Sequence, residues 1–74
     1  MSGFSIDQLE TALVVIKGLQ VKTKKEIAQM ETNWENNRIV SKPMWRRDRN
    51  ILRRRFESLT EVIQDLDERI NDGY

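Results

Sequence analysis

The densest concentration of reactive side chains in this sequence is basic: six of the ten residues from Arg46 to Arg55 are arginine. Such a run calls for an anion, whether phosphate, an acidic protein surface or carboxylates elsewhere in the same chain. A nucleic acid would be met by Arg46, Arg47, Arg53 and Arg54, with Arg47 and Arg54 outermost. Carboxylates form the second cluster. Asp65, Glu68 and Asp72 recur at helical spacing, as do Glu57 and Glu61. Paired carboxylates do acid and base work only where a pocket desolvates them. Nothing in the pattern builds such a pocket, so the acids read as a solvated face and the chain as non-enzymatic. The third group is Trp34 and Trp45, with Met30 and Met44 nearby. Tryptophan and arginine dominate energetic hot spots, and Arg46 or Arg49 can stack on either indole. The partner-binding candidates are therefore Trp34, Trp45, Arg46, Arg49 and Arg53. The plainer role of the two tryptophans is to close one end of the core.

Composition bounds what these groups can do. The chain has 74 residues, 13 Lys plus Arg against 12 Asp plus Glu, and neither His nor Cys. Zinc sites built on thiolate or imidazole, disulfides and Cys or His nucleophiles are excluded, and no cofactor is implied. Leu, Ile, Val and Phe make up 20 residues, enough for one small folded domain and too many for a wholly disordered chain. No apolar run approaches the roughly 20 residues that cross a bilayer. Met1 is followed by Ser2 and no basic-then-apolar leader, so a cytoplasmic location without membrane attachment is predicted.

The elements that must position these groups are two helices and a turn. Ser5 precedes Gln8 by three residues, the spacing of a capping box, and Phe4 and Leu9 stand where a hydrophobic staple forms. A first helix is predicted from about 6 to 36. Asn36 and Asn37 weaken its end, and Ser41 followed by Pro43 reads as a new N-terminus. The turn is predicted at about 37–41 and a second helix at about 42–71, with Gly73 as a left-handed cap. Strand signals are absent.

Periodicity gives the architecture. Ile6, Leu9, Leu13, Ile16, Gln20, Thr23, Ile27, Met30 and Trp34 follow an unbroken 3,4 spacing. Trp45, Arg49, Leu52, Phe56, Leu59, Ile63, Leu66 and Ile70 follow the complementary 4,3 spacing. Two such seams folded back on each other close at one constant sum of residue numbers, from Leu9 with Ile70 to Trp34 with Trp45. The fold class is all-α, an antiparallel two-helix hairpin of coiled-coil type, about 45 Å long at 1.5 Å per residue. Gln20 and Thr23 are polar layers that fix register. Arg49 is the one charged seam residue, predicted to face Met30 and to snorkel out, pair with Glu31 or another acid, or reach a partner. On the flanks, Glu26 with Arg55 and Glu31 with Arg46 are predicted ion pairs and Leu19 with Val62 an apolar contact. Lys24 with Arg53 and Glu10 with Asp67 repel.

A two-helix core is small, and the stretch from Leu9 to Val21 is apolar nearly all round, so this part of the helix is buried on more than one side. Ala12, Val15, Leu19 and Val62 form a stripe beside the seam, and Gly18 lets a partner helix approach. These are the self-association candidates, and a homodimer built as a four-helix bundle is the expected assembly. Helix 2 is dipolar, since residues 57–74 hold six acids and one Arg. This charge order would orient two hairpins head to tail. The sequence thus predicts a protein–protein interaction module of adaptor, chaperone or inhibitor type, with a nucleic-acid-binding regulator using the Arg46 to Arg55 face as the alternative.

Overall fold

The computed structural model describes residues 4–73. It consists of two helices, α1 (Ile6–Glu35) and α2 (Lys42–Gly73), packed against each other as an antiparallel hairpin. The molecule measures 52 × 16 × 13 Å. Its radius of gyration is 16.5 Å, against about 11 Å for a compact chain of this length. It is a rod two helices wide.

Local chemistry sets the ends. Ser5 N–H donates to Gln8 Oε1 at 2.9 Å and Gln8 N–H donates to Ser5 Oγ at 3.2 Å, completing the capping box. The staple adds little, because Phe4 stays 73% exposed. At the other end of α1, Asn37 N–H donates to Trp34 O at 3.1 Å and Arg38 N–H donates to Asn33 O at 2.8 Å. This is the Schellman pattern, with Asn37 supplying the positive φ of 55°. Asn tolerates that conformation better than other residues with a Cβ. Ser41 Oγ accepts from Met44 N–H at 3.4 Å and starts α2.

Two boundary expectations are corrected. Helix α1 ends at Glu35, one residue early, because the Schellman turn takes up Asn36 and Asn37. Gly73 is not a left-handed cap: it belongs to α2, and no described glycine has positive φ. Its missing side chain serves packing instead, since a Cβ there would collide with the Ile6 side chain.

Every seam position from Ile6 to Trp34 and from Trp45 to Ile70 is buried or half-buried, as the 3,4 spacing demands. Few go further. Among the described residues only Thr23, Ile63 and Ile70 are buried, and the last two keep 9% exposure. Thr23 answers its burial by donating to Leu19 O at 2.8 Å within its own helix. Gln20 Nε2 donates to Thr60 Oγ1 at 2.8 Å, and Thr60 Oγ1 donates to Phe56 O at 2.9 Å. A polar side chain from each helix thus ties the hairpin at one level and costs the core no unpaired hydroxyl.

Candidate functional site

The turn end gathers the tryptophans and the arginines. Trp34 near the end of α1 and Trp45 in the first turns of α2 occupy one layer, with ring centroids 4.5 Å apart and planes tilted by 38°. Trp45 Nε1–H donates to the Met30 carbonyl oxygen at 2.8 Å, which anchors its ring to α1. Cations then stack around the pair. Lys42 Nζ lies 5.7 Å and Arg46 Cζ 5.8 Å from the Trp34 ring, and Arg49 Cζ lies 5.2 Å from the Trp45 ring. Each contact is worth about 0.5–1 kcal/mol where exposed.

These side chains border a groove of about 550 Å³. Helix α1 contributes Glu31, Trp34 and Glu35, and α2 contributes Trp45, Arg46, Arg49 and Asn50. The floor is aromatic and the walls carry both signs of charge. Arg49 is the residue under most tension: its Nε is buried and has no hydrogen-bond partner. Among the described residues it forms no ion pair with Glu31, which lies 3.9 Å from Arg53, and its guanidinium sits over the Trp45 ring.

The flanking ion pairs are corrected accordingly. Among the described residues Glu31 pairs with Arg53 and not with Arg46, and Glu26 forms no bridge to Arg55. Arg46 gains more from the indole face of Trp34 than from a solvated carboxylate. Arg53 reaches Glu31 while lining one groove with Lys24. The remaining bridges are Arg47 with Asp48 at 3.7 Å and Arg69 with Asp65 at 3.0 Å.

The candidate residues divide between the two sides of the hairpin. Trp34, Trp45, Arg46, Arg49 and Arg53 come together on one, the arginine side, where Lys24, Ile27, Arg53, Phe56 and Glu57 continue the line of the groove. The opposite side carries Glu26, Gln29, Met30, Asp48, Ile51 and Leu52 in a second groove. At seven-residue spacing Val15, Leu19 and Val62 fall on that same side, exposed by 59%, 48% and 42%, with Ala12 half-buried beside them. Arg47 and Arg54 are exposed. The acids Glu57, Glu61, Asp65, Glu68 and Asp72 are all exposed along α2.

Sequence reasoning did not include Lys42, Glu35, Asn50 or Thr60 in any site. Lys42 carries a visible signal, being the seam position one step from Trp45 toward the turn. Glu35 and Asn50 each follow a named seam residue by one. Among the described residues no helix is long and apolar enough to cross a membrane. Comparison of the chain with family models, with curated proteins and with solved structures returned no match.

Proposed function

We propose that this chain is a small non-enzymatic protein–protein interaction module, of adaptor, chaperone or inhibitor type, which acts through its helix faces and self-associates as a four-helix bundle. One observation carries the reading. The accessible surface is 5925 Å², against about 4,800 Å² for a compact monomer of this mass. Part of that surplus is apolar: Val14, Val15, Leu19, Val21 and Val62 stand between 42% and 71% exposed on the half of the rod away from the turn. Val14 and Val21 lie on the arginine side and Val15, Leu19 and Val62 on the opposite side, so both sides offer exposed apolar surface, which marks a binding face where it gathers.

Affinity capture from the source cell, with and without nuclease, tests the reading. A protein retained after nuclease treatment supports it. Retention of nucleic acid alone, abolished by nuclease, would overturn it in favour of the second reading, a nucleic-acid-binding regulator using Arg46, Arg47, Arg53 and Arg54. That alternative is favoured by Arg54 and Arg55, which are exposed and, among the described residues, form no ion pair.

A further inference from the structure

We propose that a second copy of this chain docks antiparallel on the arginine side of the hairpin, laying the acidic half of its α2 against the basic half of this one. The proposal rests on the self-association reading above and specifies its face and register.

The observation is the order of charge along the outer lines of α2. At seven-residue spacing the walls of the arginine-side grooves extend into Arg46, Arg53, Thr60 and Asp67, and into Asn50, Glu57, Gln64 and Asn71. Arg47, Arg54, Glu61 and Glu68 form the neighbouring line. All are exposed except Thr60 and Asp67, which are half-buried. Because α2 spans Lys42–Gly73, Glu57 sits at its middle, and two copies laid antiparallel about Glu57 overlap along their whole length. In that register Arg46 meets Glu68 of the second copy, Arg47 meets Asp67, Arg53 meets Glu61 and Asn50 meets Gln64. The two-fold axis repeats each of these pairs and sets Glu57, which lies on it, against Glu57 of the second copy, the one like-charge contact on these three lines of α2. A shift of one heptad toward the turn would set Arg53 against Arg54. A shift the other way would carry Arg46 and Arg47 beyond the acidic half. Complementarity of this kind fixes orientation and register more than it adds affinity.

Apolar contact comes from α1 under the same axis. Its outer line on the arginine side is Asp7, Val14, Val21, Ala28 and Glu35, and the register places Val21 against Val21 and Val14 against Ala28, with the acids Asp7 and Glu35 opposed at the two ends. Val14 is 71% and Val21 53% exposed, and nothing lies within 4 Å of the Cβ position of Gly18 beside them, so the helices can close. On the opposite side, an axis through Ser58 sets Arg47 against Arg69 and Asp48 against Glu68 and leaves Arg55 with Glu61 as the one pair of opposite charge on α2. The area suffices as well, since one face of the 52 × 16 × 13 Å rod is on the order of the 800 Å² that a stable interface takes from each partner.

The chain has no cysteine, so single-cysteine variants of the full chain report directly on the face. Glu57→Cys, on the axis, is expected to oxidise to a covalent dimer at least tenfold more than Val15→Cys on the opposite side. Equal or greater crosslinking through Val15→Cys, or a dimer that neither variant traps, would overturn the face while leaving self-association standing. A monomer in sedimentation of the unmodified chain would remove both. As a second arm, the pair R46E/R53E and the pair E61R/E68R should each weaken self-association at least tenfold alone and recover it when mixed one to one. A mixture that stays monomeric rejects the register.

Discussion

Trp45 donates its indole N–H to the Met30 carbonyl oxygen at 2.8 Å, from the start of one helix to the interior of the other. The carbonyl lies inside α1 and has a second lone pair to offer. The bond fixes the azimuth of the ring, which sets the 4.5 Å contact with Trp34 and places the guanidinium of Arg49 over the indole. The shape of the turn-end groove follows from this one bond.

Trp45→Phe keeps an aromatic ring in the layer and deletes the donor. Stability should fall by about 1 kcal/mol for the bond, and by more if the smaller ring leaves a gap. Urea denaturation followed by far-ultraviolet circular dichroism measures it, and an unchanged midpoint would show that the bond contributes nothing.

Arg49→Leu restores an apolar side chain to the seam and removes a buried Nε without a partner. The melting temperature should rise, because an unpaired buried polar group costs about 1–3 kcal/mol. If the groove is a binding site, the same variant should bind its partner less well. A stabilised variant that still captures the partner at full strength would move the site to the stripe of Ala12, Val15, Leu19 and Val62.

The pair Gln20 and Thr60 should be coupled. In a double-mutant cycle of Gln20→Ala and Thr60→Ala, the interaction energy is expected to be about 0.5–1.5 kcal/mol. Additive losses would show that the 2.8 Å bond does not help hold the two helices in register.

Much of this was legible before the fold was known, and the reason is physical. The 3,4 spacing specifies which residues face inward, and a constant pairing then places Trp34 beside Trp45. The capping box of Ser5 and Gln8 is a matter of three residues and needs no tertiary context. The ion pairs were not legible. Arg46 and Arg53 are long, exposed side chains with several acceptors in reach at nearly equal free energy, and Trp34 competes with Glu31 for Arg46. The acceptor for Trp45 is a backbone carbonyl, to which side-chain pairing rules are blind. Gly73 was misread because its role depends on Ile6, almost the whole chain away.

Salt dependence separates the two functional readings. Four arginines on duplex phosphates would give a slope of about −3.6 in log K against log salt. An interaction module predicts no such binding at 50 mM salt. Duplex binding with the full slope, lost when Arg47 and Arg54 become Ala, would favour the nucleic-acid reading.

The central claim, that this hairpin works by presenting helix faces to other helices and first to its own copy, is tested most directly by sedimentation equilibrium of the full chain at micromolar concentration. The account predicts a species of twice the 8.8 kDa chain mass. It also predicts dissociation as the concentration is lowered. A stable, fully helical species of 8.8 kDa throughout that range would contradict it.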